Sequence, residues 1–531
     1  MPLTAGPTPV SNPTTPYWLK ALPARPRPHA TPRAPLPPAA DVVIIGGGIA
    51  GVSAAYHLRK SRPELKVVLL EARQLSHGAT GRNGGLLWPA LNAPWLKTVE
   101  RYGAAEASRI MAFELQCLEE VTRFIQAEGL EEEVRYSPFR DGAFYVYENA
   151  AEMEAELAEL AVMQKAGIHQ DVKPLSRRQT AALLGTESYV GAVRQPGVAR
   201  VWAARLVHAL ARMAAAAGPE EGLLVVEGTR VTRVEPLPDG AALPPGLAAT
   251  AAAAGSSGGP RARPGVHNNI VPMRHSESLG SGLQVPLTEL LDPASTPLLQ
   301  VTTESGDSLL ARRVLHCTNA YGSALLPELR RALVPVRNHV AATRAPLHAA
   351  SSSLPDAAFY ARGGYVYWSV REDGRVVIGG FRDVVPGMEW DVYDDGSLDE
   401  RVRQHLHAYL PAHFPAAFGG GGGSGKGGGG GAGGGQLLDL EAEWSGILGF
   451  TQDRFPFVGP VPGRRGEFLA AGFSGHGMTR TFTCGRLVAD MVAGLPLDPA
   501  FPPTWLPAEG RFGPALPVVP GPEAAAGALY I

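Results

Sequence analysis

The chain has 531 residues, with 48 Lys+Arg against 50 Asp+Glu, a formal net charge of −2 and 18 % charged residues. That balance argues against a dominant basic surface for nucleic acid. Three widely separated cysteines (Cys117, Cys317, Cys484) with no CxxC rule out a disulfide framework and a Cys-rich zinc site, and no run of 18 apolar residues marks a membrane span.

Glycine (64 residues) and proline (48) make up about a fifth of the chain, against roughly 12 % in average usage. Part of the length is therefore filler, and the rest has room for two or three domains. Residues 1–40 hold twelve prolines, four Lys/Arg and no acid. Proline at that density forbids a long amphipathic helix, so residues 1–37 read as an extended arm of a cytoplasmic chain; an acid-poor organellar leader stays open.

Residues 41–45 read as a buried strand, 49–60 as a helix and 66–70 as a second strand. Residues 100–128 and 150–166 carry apolar residues at helical spacing, with a short aromatic strand at 144–147 between them. Residues 201–217 form a helix with Leu206, Leu210 and Met213 on one face. Strands follow at 223–227, 299–303 and 313–316. Residues 364–369 and 375–379 read as an antiparallel pair joined by Glu372-Asp373-Gly374, and a strand at 468–470 precedes a helix at 483–493. Residues 239–297 and the glycine run 419–435 read as disordered insertions, because glycine loses most on ordering and buries nothing. The expected fold class is α/β: a Rossmann-like layer plus a separate antiparallel sheet, with the chain passing between them more than once.

The strongest motif is Asp41-Val-Val-Ile-Ile-Gly46-Gly47-Gly48-Ile49-Ala50-Gly51, a GxGxxG between a strand and a helix. Gly46 permits the turn, Gly48 lets backbone approach a pyrophosphate, and Gly51 lets helix and strand pack. Ile49 and Ala50 open the helix whose N-terminus would meet the diphosphate. Glu71 ends the next strand, where a carboxylate accepts hydrogen bonds from a ribose. A second glycine-rich loop, Ser76-His77-Gly78-Ala79-Thr80-Gly81-Arg82-Asn83-Gly84-Gly85, follows at once. A nicotinamide enzyme has no general need of it; an extended FAD needs a second wall.

With these two loops the chain resembles the FAD-dependent D-amino-acid oxidase and sarcosine oxidase-like superfamily. It is most similar to the gamma-glutamylputrescine oxidoreductase-like branch, which also shows an arm like Asn12-Pro13-Thr14-Thr15-Pro16-Tyr17-Trp18-Leu19. The resemblance implies that Ala79, Thr80, Arg82, Asn83, Gly84, Gly85 and Leu86 lie at the pyrophosphate and flavin. It places Val231 on the adenine side and Thr318, in Val314-Leu315-His316-Cys317-Thr318, near the cofactor. Gly475, Gly477 and Met478, in Gly472-Phe473-Ser474-Gly475-His476-Gly477-Met478, are the expected flavin contacts. Bare N–H groups and a helix N-terminus there favour charge on a reduced flavin. Neither His77 nor any cysteine falls in a recognised attachment pattern, so non-covalent FAD is expected, with no metal.

The resemblance assigns residues 38–95, 190–238, 298–332 and 440–500 to an FAD-binding domain. Residues 96–189 and 333–418 go to a substrate domain, and 501–531 to a C-terminal tail. Candidate catalytic residues are His476, Arg337 and Tyr367, with Tyr365 and Trp368 as further pocket candidates. An arginine pairs with a carboxylate and an aromatic wall packs an amine. His476 reads as a base or, more simply, as a loop-orienting residue. The implied reaction oxidises a small amine or amino acid to an imine by hydride transfer to flavin N5, with oxygen accepting the electrons as hydrogen peroxide. Val377 stands where sarcosine-oxidase-type relatives carry an oxygen-activating lysine. A dehydrogenase with another acceptor therefore stays open, as does a non-catalytic FAD-binding protein.

Overall fold

The computed structural model describes residues 7–22, 30–32, 34–89, 95–219, 222–237, 296–344, 354–418 and 438–512. The insertions expected at 239–297 and 419–435 lie almost wholly outside these residues. A nine-stranded sheet forms the first layer. Its parallel centre runs Ala30–Pro32, Leu223–Glu227, Val67–Leu70, Ala39–Ile45, Ser308–His316. The apolar runs VVLL and AADVVII suit strands covered on both faces, and nearly every residue in them is buried. Leu299–Thr303 and Val231–Pro236 extend the sheet antiparallel. Glu467–Ala471 joins parallel to Ser308–His316, with Phe457–Pro460 antiparallel beside it.

The helix Ile49–Ser61 is Ala-rich and buried on most sides, in a core shared with helices Ala203–Ala216 and Gly477–Val492. Small residues permit that contact: a Cβ on Gly485 would lie 2.5 Å from the Ala50 carbonyl oxygen. The stretch expected as one helix over 100–128 is two, Trp95–Tyr102 and Ala104–Ala127. Gly103, at φ +81°, breaks it.

The second layer is an eight-stranded sheet. In order it runs Leu440–Thr451, Leu333–Thr343, Val376–Gly380, Val366–Val370, Ala357–Ala361, Gly142–Tyr147, Gly191–Gln195, Lys173–Ser176. All neighbours are antiparallel except Ala357–Ala361 with Gly142–Tyr147. The chain thus passes between the sheets several times.

The expected domain boundaries need three corrections. Gly191–Gln195 and Leu440–Thr451 pair in the second sheet, not the first, because their ladders run to Gly142–Tyr147 and Leu333–Thr343. Ala104–Ala127 packs its apolar face into the core of the first layer. Residues 501–512 are no free tail: Trp505 is buried, and Arg511 holds Asp453 through two bonds of 2.8 Å. Among the described residues no helix is long and apolar enough to cross a membrane, and no cluster of His, Cys, Asp and Glu is placed to hold a metal.

Candidate active site

Two adjoining cavities open where the parallel strands end at their C-terminal edge, the position at which α/β sheets bind ligands. The larger, about 1370 Å³, is lined by Gly46, Gly48, Ile49, Ala50 and Glu71 at one end. Gly46 sits at φ +112°, and a Cβ there would lie 2.5 Å from the Cys317 carbonyl oxygen. Gly48 caps the helix Ile49–Ser61, so the helix N-terminus faces the cavity. Gly51 lines neither cavity; its missing side chain leaves room for the Gly46 carbonyl.

Glu71 accepts two backbone bonds, from Gly47 N–H to Oε2 at 2.7 Å and from Arg73 N–H to Oε1 at 2.8 Å. Burial raises its pKa, and those two bonds oppose the rise. Ala79, Thr80, Asn83, Val231 and Thr318 line the same cavity, and Gly475, Gly477 and Met478 close it. Thr80 Oγ1 accepts from Ile49 N–H at 3.2 Å, tying the second loop to the helix start. Thr318 Oγ1 is buried beside the cavity with no hydrogen-bond partner. Pro7, Thr8 and Pro9 of the arm also line it. Sequence reasoning missed them, because a proline-rich stretch has no periodicity to aim it.

The rest of the second loop faces elsewhere. Gly84 and Leu86 line only the second cavity, and Gly85, at φ +72°, lines neither; its N–H donates to Asn83 Oδ1 at 2.8 Å. Arg82 borders the second cavity, but its guanidinium is spent on Thr14 O (2.9 Å), Ser445 O (2.8 Å) and His77 O (2.9 Å). Three indoles pin this loop and the arm together: Trp18 donates to Asn83 O, Trp444 to Arg82 O, and Trp202 to Trp18 O.

The second cavity, about 850 Å³, shares Ala79, Asn83, Leu448, Ser474, Gly475 and Met478 with the first. Its far wall is aromatic. Trp88 stacks on Tyr360 with centroids 4.0 Å apart, and Gln195 Oε1 accepts from Trp88 Nε1 at 2.8 Å. Tyr367 Oη accepts from Asn338 Nδ2 at 3.1 Å, and burial pushes its phenol well above the usual range. His476 also borders this space. Burial first, then the Arg480, Arg454 and Arg382 cations, push its pKa down to about 4.

Arg382, not singled out from sequence, lines the cavity with 3 % of its surface exposed. Its Nε and Nη2 are buried without a hydrogen-bond partner, and burial lowers its pKa. Among the described residues, no carboxylate lies within salt-bridge distance of it. Only its place after the glycine-ended strand Val376–Gly380 hinted at a site. Arg337, by contrast, lines neither cavity. It is held by Glu389 and by Ser397 Oγ at 2.8 Å, so the expected carboxylate partner is already satisfied inside the protein. Trp368 faces the opposite core, stacked on Phe359 at 4.8 Å, and Tyr365 lies under Arg382 at 5.0 Å without reaching the cavity.

The first cavity fits FAD. It offers a glycine cradle, a helix N-terminus, a carboxylate at the end of the second strand, and an orphaned threonine hydroxyl. Over 502 residues, 90 % of this chain and 88 % of the relative, the sequence is 24 % identical to a probable oxidoreductase, OrdL, of Rhizobium meliloti (strain 1021). The crystal structure of glycine oxidase from Geobacillus kaustophilus shares the fold at TM-score 0.59 and 20 % identity, covering 87 % of this chain and 96 % of that one. L-Proline dehydrogenase from P. horikoshii shares it at TM-score 0.58 and 16 % identity, covering 91 % and 100 %. The family model for FAD dependent oxidoreductases, DAO, matches residues 41–289 and 283–491, and the chain belongs to that family of flavoenzymes.

Proposed function

We propose that the protein oxidises a small amino acid or amine to the imine, with dioxygen as electron acceptor. The amine loses two electrons and two protons; water hydrolyses the imine, and dioxygen takes up the electrons and protons as hydrogen peroxide. Bound FAD supplies the two-electron acceptor. Gly46, Gly48, Ile49 and Ala50 would meet its diphosphate, and Glu71 a ribose. Val231 would lie on the adenine side, and Thr80, Asn83, Gly475, Gly477 and Met478 toward the flavin. The FAD is held without a covalent bond; acid precipitation releasing all the flavin tests this.

The observation that carries the reading is Arg382, buried on a cavity that adjoins the cofactor cavity and, among the described residues, with no carboxylate in salt-bridge distance. A carboxylate ligand relieves its isolation through a bidentate pair. The Trp88–Tyr360 wall excludes water around the alkyl part, and Tyr367 closes one side. The cations around the site lower the pKa of a bound ammonium, favouring the neutral amine that gives up electrons. Positioning and this field supply the rate, with no strong side-chain acid needed.

The test is the visible spectrum of the holoprotein, mixed without oxygen with amino acids and amines. Bleaching by an amino acid supports the reading; a flavin that none of them bleaches sinks it. Air then separates acceptors. One observation favours a dehydrogenase as second reading: Val377 is 1 % exposed among Trp18, Trp202 and Trp444, so no lysine stands at that strand position. Slow reoxidation in air would decide for it.

A further inference from the structure

The second cavity carries little charge. Among the described residues that line it there is no Asp, Glu or Lys, and its arginines are Arg82 and Arg382. Arg82 is spent on Thr14, Ser445 and His77. Arg454 and Arg480 act on His476 from outside and line neither cavity. Asp383, next to Arg382 in the chain, pairs with Arg362 and also lines neither. That leaves Arg382 to answer one carboxylate of a ligand, and a second charge of either sign finds no partner. An extra ammonium also meets the Arg382 field, which reaches the phenols of both Tyr360 and Tyr367. A cation–π contact with those rings offsets only part of that cost.

The aromatic wall is fixed from behind. Tyr145, Tyr360 and Tyr367 stand opposite one another on three neighbouring strands. Tyr145 meets Trp88 and Tyr360 edge-on, with centroids 5.2 Å and 5.6 Å apart. Gln195 Oε1 accepts from Trp88 Nε1 at 2.8 Å and from the Tyr145 hydroxyl at 3.1 Å. Thr479 Oγ1 donates to Trp88 O at 3.0 Å, which ties the wall to the helix Gly477–Val492. Tyr367 needs two glycines beside it: a Cβ on Gly84 would lie 2.7 Å from its Cε2, and one on Gly379 2.4 Å from its Oη. Rings already held in place lose little freedom when a ligand's ring packs against them.

We infer that the second cavity selects an α-amino acid with one carboxylate and a bulky, uncharged, apolar side chain, an aromatic ring foremost, and rejects dicarboxylates, basic amino acids and diamines. The selection narrows the amine-oxidation reading and rests on it for the chemistry, but not for the binding. Tyr360, backed by Trp88 at 4.0 Å, is the specificity-determining residue.

The experiment titrates the holoprotein with inert carboxylates and follows the flavin spectrum. Phenylacetate is compared with acetate, and succinate with butyrate, in the wild type and in Tyr360→Leu. Flavin content, measured alongside, reports folding. Phenylacetate should bind about ten-fold more tightly than acetate, or better, and succinate no more tightly than butyrate. Tyr360→Leu should shrink the phenylacetate margin about three-fold or more. Equal binding of phenylacetate and acetate by the wild type, which needs no variant, overturns the inference; so does tighter binding of succinate than of butyrate, or a phenylacetate margin that survives Tyr360→Leu in full. Phenylalanine, aspartate, lysine and putrescine, added without oxygen, separate the two claims. A phenylacetate margin with no bleaching by any amine upholds the pocket and overturns amine oxidation. Bleaching by aspartate, lysine or putrescine ahead of phenylalanine upholds amine oxidation and overturns the selection.

Discussion

Arg73 grips Asp395 with two bonds, Nη1 to Oδ2 and Nη2 to Oδ1, each 2.8 Å long. Arg73 follows Glu71 on the first layer, whereas Asp395 sits in the segment after Trp390, which bridges to the second sheet at Val336. Arg82 adds its Nε at 3.3 Å to the same carboxylate, and Asp395 and Arg82 are each 1 % exposed in their side chains. The latch therefore joins the cofactor cavity wall to the other layer. Burial pulls Arg73 down, and the Asp395 bonds more than offset it; Arg82, bonded less directly, ends lowered to about 10. Asp395→Asn takes from two largely buried guanidiniums the carboxylate they share. Breaking a buried pair this way costs about 3–5 kcal/mol. Thermal unfolding of the holoprotein, followed by flavin fluorescence, should show a large drop in midpoint; an unchanged midpoint would mean the latch contributes nothing.

Removing residues 1–15 should weaken FAD binding without unfolding the chain. Pro7, Thr8 and Pro9 form part of the cavity wall, and Thr14 satisfies Arg82 Nη2 through its carbonyl and Ser445 N–H through its hydroxyl. Trp18 stays in place and keeps the second loop closed. A ten-fold rise in the FAD Kd, about 1.4 kcal/mol, is the expected size. Flavin released on dilution, read by its fluorescence, measures it, and identical retention by the trimmed and whole chains would refute the role of the arm.

Glu71→Gln tests the ribose end. An amide accepts at one oxygen only, so Gly47 N–H or Arg73 N–H loses its partner, at about 1–3 kcal/mol. FAD affinity should fall roughly ten-fold or more. The pH dependence has a definite sign. Burial raises the Glu71 pKa, so in the folded protein it takes up a proton at higher pH than a free carboxyl does. As pH falls, the acceptor is lost early, and wild-type FAD affinity should begin to weaken above the ordinary value of 4.5. Glu71→Gln should lack that acid limb, and a variant that keeps it would show that another group titrates.

The nucleotide end was legible because its signals are local. Gly46, Gly48, Gly51 and Glu71 act within one strand–helix–strand unit, and strand patterns such as 41–45 agree with Ala39–Ile45. The substrate side was not, because its contacts are set far along the chain. Leu333–Thr343 pairs with Leu440–Thr451 across more than ninety residues, including an insertion, so nothing nearby announced either strand. The choice between Arg337 and Arg382 depends on where acids fall. Glu389, 52 residues from Arg337, occupies one guanidinium, and the acid that follows the other, Asp383, turns to Arg362 instead. Residue type suggested an arginine; only the packing says which one is left without a partner.

His476 caps the helix Gly477–Val492 and faces the second cavity, so its charge state matters to anything bound there. Its pKa is held down to about 4 by burial and by three arginines. Between pH 5 and 8 it is therefore neutral, and it cannot serve as the group whose ionisation controls turnover in that range. His476→Asn should therefore leave the position of any limb of kcat/KM there unchanged. Stability gives the complementary readout. The unfolded chain takes up a proton at this residue near the ordinary histidine value of 6.5, whereas the folded chain waits until about 4. The histidine thus costs the fold stability progressively as pH drops from 6.5 to 4. Urea unfolding midpoints across that window should decline more steeply for the wild type than for His476→Asn. Parallel declines, together with a shifted kcat/KM limb in the variant, would instead make His476 a titrating base.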